Sequence, residues 1–353
     1  PMDVALEDVV VQDNEANDNH AGGIAIVAWS LIPDSPLTVT LKRVIVRRNR
    51  SGGTGGGVWI ASNGRGGGYG DRIQAYMSEC LVHGNYALFN GGGVAVWAQT
   101  SGDVEFKMVN STVTDNAFRG RVWGDPAWDC RDAGGGGVSV ESTPRGGPDI
   151  AHIVALIANT IIHGNRREPE ATCPDPSPQS DDLHVKIPND PLTWWTPLDS
   201  VRAESSDVGN VQVESGSYTP VDVVSVDPLF VSPAVGVFTL SPASPLIDQG
   251  TPRVAPPPGL SSTDLAGAPA AWVRPPMSGP TNGTTASAAR SACLGSRTGL
   301  SAAIFCCRRA VGGCSRVSTC RFRIPRRPRA SARMDRHATV SSWARRISTP
   351  QAW

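Results

Sequence analysis

Acidic, basic and imidazole side chains recur in this sequence at two adjacent positions of a repeated pattern. Immediately before a recurring asparagine stand Asp13, Arg48, Gly84, Asp115 and Gly164, and one residue earlier stand Gln12, Arg47, His83, Thr114 and His163. Clustered carboxylates can hold calcium, and a basic residue beside such an ion can remove a proton next to a sugar carboxylate, whereas close carboxylate pairs hydrolyse glycosides. The spacing argues against both. Asp13 and Asp115 fall three repeats apart, about 14 Å if each repeat advances one strand spacing, and His83 and His163 fall two repeats apart, about 10 Å. Neither pair can share an ion or one reacting bond, so both are read as solvated turn residues. No catalytic residue, metal site or cofactor is assigned. Calcium is the one ion that a lyase would need.

A second group of candidates lies in the insertion Arg119–Asp132, which carries Trp123, Asp125, Trp128, Asp129, Arg131 and Asp132. Indole faces stack on the C–H faces of sugar rings while carboxylates accept their hydroxyls, so this composition suits a glycan contact. The alternative is that both tryptophans fold back onto the core. Trp194 and Trp195 are read as anchors of a later crossing. Of the eight cysteines, Cys80 reads as a buried thiol, and Cys293, Cys306, Cys307, Cys314 and Cys320 show no zinc-ligand spacing. Cys130 and Cys173 sit in long insertions of consecutive repeats. They are expected to form a disulfide, which fits an oxidising, extracellular setting; the alternative is two unpaired loop thiols.

The elements that position these residues follow from an internal repeat. Registered on Val11–Asn14, Val46–Asn49, Val82–Asn85, Val113–Asn116 and Ile162–Asn165, five repeats align. Eight residues before each asparagine stand Leu6, Leu41, Met77, Met108 and Ile157, and five before stand Val9, Val44, Cys80, Ser111 and Thr160; both columns are expected to point inward. Paired glycines then open an alternating strand at Gly22-Gly23-Ile24, Gly56-Gly57-Val58, Gly92-Gly93-Val94 and Gly136-Gly137-Val138, with Asp181-Asp182-Leu183 in the fifth repeat.

This pattern predicts an all-β stack of coils, each holding two or three short strands paired with their equivalents in the next, and it resembles the right-handed, single-stranded parallel β-helix of pectin-lyase-like proteins. Asn14, Asn49, Asn85, Asn116 and Asn165 are expected to form a turn ladder, since Asn tolerates the left-handed conformation and its amide can bond the Asn of the neighbouring coil. One column conflicts with alternation. Val10, Ile45, Leu81, Thr112 and Ile161 should face outward, yet all but Thr112 are apolar. Either a later segment covers them or they form a sticky face for a partner.

The aliphatic-x-x-Asn followed by Gly-Gly-Gly-Val resembles the right-handed parallel β-helix of the polymorphic outer-membrane-protein repeats, with Val or Ile where that family has Phe. Further on, Asp227-Pro228-Leu229-Phe230, Leu240-Ser241-Pro242, Ser244–Gly250 and Thr263–Gly267 resemble the C-terminal end of secreted β-helix proteins of the choice-of-anchor type. In that family a closing Asp-[Ile/Val]-Gly-Ala-Tyr-Glu follows soon after, and here it is missing. Regrouping the codons of Pro276–Asn282 by one base permits Asp-Val-Gly-Ala-Tyr-Glu, so we expect a frameshift near Pro269–Ala271.

Three regions result: coils over 1–190, truncated at the N-terminus; last coils and a cap over 191–268; and an aberrant, basic, poorly ordered tail over 269–353. Residues 271–353 hold fifteen arginines, no lysine and one acid, Asp335, so formal neutrality of the 353 residues averages two compositions. Neither nucleic-acid binding nor a membrane span is expected, because the basic Arg321–Arg333 belongs to that tail and no apolar run reaches about 18–20 residues. The chain opens inside an expected strand, so its lack of a signal peptide is uninformative. The resemblance implies a secreted or surface-exposed bacterial protein. The absence of an assembled active site suggests a non-catalytic role in surface structure, adhesion or contact with polysaccharide or cell-surface glycan. The competing expectation is a polysaccharide lyase or glycoside hydrolase acting on acidic polysaccharide.

Overall fold

The computed structural model describes residues 2–17, 20–30, 36–63, 72–120, 134–143, 151–168, 179–187, 200–251 and 300–303. The chain divides into two units, 1–321 and 322–353, and the described residues all belong to the first.

The described chain winds as a parallel β-helix whose coils build four sheets. In the third coil Arg72–Ser78 lies in sheet A, Leu81–His83 in sheet B, Tyr86–Ala87 in sheet C and Val94–Gln99 in sheet D. Each strand pairs in parallel with its equivalent in the next coil, so that Met77 stands between Leu41 and Met108, and Val82 between Val46 and Val113. Each of the first five coils therefore contributes a strand to all four sheets, one or two more than expected. The extra one is the two-residue strand of sheet C, which follows the asparagine directly and is too short to show any periodicity. Ser200–Glu204, Asp207–Val208 and Val211–Ser215 form a sixth coil, and Ser217–Val221 adds the last strand of sheet A. Pro220 removes one backbone donor from that outermost strand. Leu300–Ala303 pair antiparallel with Ile24–Ser30, the first strand of sheet D.

Alternation places one face of every strand inside the coil. Leu41, Met77, Met108 and Ile157 are buried in one cluster with Val44 and Cys80, as the spacing predicts. Phe106 sits in register between Ala75 and Ala155, a large side chain between two small ones, and is fully buried. Each fully buried aliphatic contributes about 1.5–3 kcal/mol relative to exposure.

In the first five coils two corners turn through a residue with positive φ. Between sheets A and B these are Asp8, Arg43, Glu79, Asn110 and Asn159; between B and C they are Asp13, Arg48, Gly84, Asp115 and Gly164. The left-handed residue is thus the one before the ladder asparagine. The asparagine itself serves through its amide. Asn14, Asn49, Asn85 and Asn116 each donate Nδ2–H to the Oδ1 of the next asparagine, at 2.8, 2.9, 2.9 and 2.9 Å. Each of these oxygens also accepts the preceding asparagine's backbone N–H, at 3.0–3.1 Å. Asn165 donates in the same way to Asp182 Oδ1 at 2.9 Å, so the acid that replaces a glycine in the fifth repeat ends the ladder. The glycines make room for the next coil's backbone, whose carbonyl oxygen would lie 2.5–2.6 Å from a Cβ, and for the ladder. A Cβ on Gly23, Gly57, Gly93 or Gly137 would lie 3.0, 3.0, 2.9 or 2.7 Å from the amide nitrogen of Asn49, Asn85, Asn116 or Asn165.

The outward apolar column is resolved in favour of a cover. After the last coil, Phe230–Ser232 and Val237–Leu240 form an antiparallel hairpin around the 3₁₀ turn Pro233–Val235. Its Phe238 meets His83 at 4.8 Å between ring centroids, and Leu246 packs on Ile161 with Val226, Phe230 and Leu240. Asn159 exchanges two hydrogen bonds with the backbone of Thr251, at 2.8 and 2.9 Å, which pins the end of this segment. Leu81, Thr112 and Ile161 are 1 %, 0 % and 1 % exposed, while Val10 and Ile45 stay half-buried.

Candidate functional site

The expected glycan contact, Trp123, Asp125, Trp128, Asp129, Arg131 and Asp132, lies outside the described residues, as do Cys130, Cys173, Trp194 and Trp195. The stretch that carries Cys130 lies between sheet C and sheet D of the fourth coil, and the one that carries Cys173 lies between Arg166–Arg167 and Gln179–Ser180, which pair antiparallel in sheet C of the fifth. Among the described residues the one cysteine is Cys80, buried and unbridged, with burial pushing its thiol up to about 12. No three His, Cys, Asp or Glu side chains of the described residues converge as metal ligands.

The outward columns beside the ladder are engaged in pairs. Arg48 bonds Asp13 through Nε and Nη2 at 2.8 and 2.9 Å, Arg47 bonds Gln12 at 2.7 Å, and Arg166 bonds Asp115 at 2.8 Å. Such exposed pairs contribute little, about 0–1 kcal/mol each. The two histidines differ from expectation and from each other. His83 is buried beneath Phe238 rather than solvated; burial first, then Arg47, pulls its pKa down to about 4. His163 is half-buried, and the carboxylate of Asp207, 3.2 Å from its Nδ1, raises its pKa. Asp207 also accepts the backbone N–H of Val226 at 2.9 Å, so this pair holds the start of the covering segment.

The outer face of sheet D gathers the groups with chemistry to offer. Its first coils are floored by Ala21, Ala25, Val27 and Ala61, small side chains against which Trp59 and Trp97 pack while staying half-exposed. His20 stacks on Trp59 with centroids 4.4 Å apart, and the two indoles stand 6.5 Å apart in adjacent coils. His20 Nδ1 accepts the backbone N–H of Thr54 at 3.1 Å, which leaves the ring proton of the neutral imidazole on Nε2. Burial lowers its pKa. Trp97 Nε1 donates to Thr143 Oγ1 at 2.9 Å and fixes the indole.

In register with Trp97, one coil on, stands Glu141. Its Oε1 accepts from Asn90 Nδ2 at 2.5 Å and Ser139 Oγ at 2.8 Å. His184 is fully buried between two carboxylates, with Nδ1 3.7 Å from Glu141 and Nε2 3.0 Å from Glu214. At 3.7 Å the first contact is an ion pair rather than a hydrogen bond. Burial opposes charging the ring, yet the two acids outweigh it and raise its pKa. Glu214 also accepts from Lys186 at 2.9 Å; burial opposes its charge, and Lys186 and His184 overcome that and hold its pKa down. A side chain on Gly134 would collide with the His184 ring, so backbone closes over it.

Asp181, beside this network, is 1 % exposed; its Oδ1 accepts the Gly135 N–H at 2.8 Å and its Oδ2 has no hydrogen-bond partner. Burial raises its pKa from 3.8 to about 6. A raised folded-state pKa means that the folded protein holds the proton more tightly, so stability falls as pH rises from about 4 through about 6. Asp181→Asn is expected to raise the unfolding free energy by about 1–3 kcal/mol at neutral pH and by nothing in acid below pH ~4. Urea unfolding at the two pH values measures this, and an equal effect at both would contradict it.

The one carboxylate held well above its ordinary pKa, Asp181, is buried, and His184 is buried with Nε2 on Glu214 at 3.0 Å and Nδ1 3.7 Å from Glu141. The arrangement holds polar groups still beside an aromatic shelf. Sequence reasoning overlooked this face, although its signal was present: Trp59 and Trp97 stand at outward positions of the alternating strands Val58–Asn63 and Val94–Gln99.

The protein is a parallel β-solenoid, with four parallel sheets stacked coil on coil and an asparagine ladder at one corner. No family model, no curated protein and no solved structure matches the chain.

Proposed function

We propose that this is a secreted or cell-surface bacterial β-solenoid whose role is non-catalytic, in surface structure or adhesion, and that it contacts polysaccharide through the outer face of sheet D. The resemblance of its repeats to the polymorphic outer-membrane-protein and choice-of-anchor β-helices supports the location. The observation that carries the contact is the shelf of His20, Trp59 and Trp97, half-exposed rings laid on alanine and valine. Sugar rings stack on such faces, and the flanking carboxylate and amide suit their hydroxyls.

Affinity electrophoresis on a panel of polysaccharides tests the reading. Trp59→Ala and Trp97→Ala are each expected to weaken binding about tenfold, equivalent to ~1.4 kcal/mol. A Val235→Ser change on the covering hairpin should leave binding unchanged. Binding that survives both tryptophan replacements would sink the proposed surface.

A further inference from the structure

We infer that the ligand of the sheet D face is an uncharged polysaccharide lying along the solenoid axis, across the strands. The inference rests on the glycan-contact reading above and adds direction and charge to it. Direction follows from which coils supply the rings. His20 precedes the first strand of sheet D, Trp59 belongs to the second and Trp97 to the third, and Glu141 follows in the fourth, in register with Trp97. The row therefore crosses the strands, and a linear ligand covering it must run with the axis. The ring spacings of 4.4 and 6.5 Å leave no room for a ligand ring between neighbours, so contact is made over the exposed faces and edges of the row.

Charge follows from what stands beside the rings. His20 is neutral, held by the Thr54 N–H on one nitrogen. The polar end of the row is Glu141 with Asn90 and Ser139. Beyond it the His184 ring is buried under Gly134 between two carboxylates, and Lys186, in register with Glu141, is engaged by Glu214. Among the described residues the row thus ends on an acceptor, with its neighbouring charges paired off internally. A sugar hydroxyl can donate to Glu141; a uronate or sulfate would meet it as a like charge, and the lysine beside it, Lys186, already answers Glu214.

The test uses the full chain on two sets of polymers, neutral glucans, xylans and mannans against polygalacturonate and alginate, at low and high salt. The expected result is retention by at least one neutral polymer, changing less than about twofold with salt and weakened about tenfold by Trp97→Ala. Trp97-dependent binding confined to the acidic polymers, and weakened by salt, would overturn the uncharged-ligand inference while leaving the surface itself standing. Retention by neither set, or retention indifferent to Trp97, would overturn both.

Discussion

Replacing Asn116 by alanine is expected to lower the unfolding free energy by about 3–5 kcal/mol, a large share of the ~5–15 kcal/mol that a folded domain typically holds. The side chain sits in the middle of the ladder and is fully buried. Its Oδ1 accepts both the backbone N–H and the Nδ2–H of Asn85, at 3.0 and 2.9 Å, and its own Nδ2 donates to Val82 O and Asn165 Oδ1, both at 2.9 Å. Truncation leaves the Asn85 backbone donor and the Val82 acceptor facing a dry hole, and each orphaned buried group costs about 1–3 kcal/mol. Asn116→Asp gives a sharper reading. It keeps an acceptor for Asn85 but turns a second oxygen toward Val82 O and Asn165 Oδ1, which are acceptors themselves. The new carboxyl therefore has a raised pKa in the folded state, and the variant loses stability as pH rises. Chemical unfolding should find it weaker at neutral than at acid pH; the opposite trend would mean that the ladder runs in the other hydrogen-bond sense.

The second large effect is expected at Gly93, and it separates two reasons for glycine. A Cβ there would stand 2.6 Å from Gly137 O, 2.9 Å from Asn116 Nδ2 and 3.0 Å from Val113 Cγ1, all held by the next coil. Gly93→Ala is expected to cost about 3 kcal/mol and Gly93→Val more, since neither backbone nor ladder can give way. At Gly84 the constraint is conformational. Its φ is +62°, and a Cβ would meet nothing closer than Arg48 Cγ at 3.7 Å. Gly84→Asp should cost only about 1 kcal/mol, because Asp13 and Asp115 already occupy that corner at φ 58° and 53°. Thermal unfolding of the two variants side by side measures the difference, and equal losses would contradict the close-approach argument. The double variant Gly93→Ala with Asn116→Ala should cost less than the sum of its parts, since the amide that crowds residue 93 is gone.

Much of this architecture was legible because a repeat imposes the same physical demand in every coil. The asparagines, the paired glycines and the inward columns at Leu41, Met77, Met108 and Ile157 each recur at fixed distance, so their roles could be read before any contact was known. Features that do not recur were illegible. Ser111 and Thr160 fall in an inward column and look like interruptions of a core. They are a second, shorter ladder: Cys80 N–H donates to Ser111 Oγ at 3.1 Å, Ser111 N–H to Thr160 Oγ1 at 3.4 Å, and Thr160 N–H to Ser206 Oγ at 3.2 Å. The segment that packs on Ile161 and His83 was one of two explanations for an apolar outward column, and only the return of residues 226–251 over sheet B decides between them. His83 looked solvated for the same reason, since the ring that buries it, Phe238, lies far along the chain.

The sheet D face was hidden by register. Trp59 is the second residue of its strand and Trp97 the fourth of its own, and glycine runs and loops of unequal length separate them, so no fixed spacing joins them. They meet because the coils stack Val94 on Val58 and the indoles reach diagonally across small neighbours. Glu141, His184 and Glu214 come from three successive strands of the same sheet, and their shared charge balance exists only once those strands are paired.

The measurement that bears most directly on a non-catalytic glycan contact is simultaneous: full-length protein incubated with each polysaccharide it retains, with and without calcium, while unsaturated products and new reducing ends are followed alongside binding. Stable retention with no product is the predicted result. Product released in step with binding, and abolished by a change at Asp181, Glu141 or Glu214, would contradict it and make the polar end of sheet D an active site.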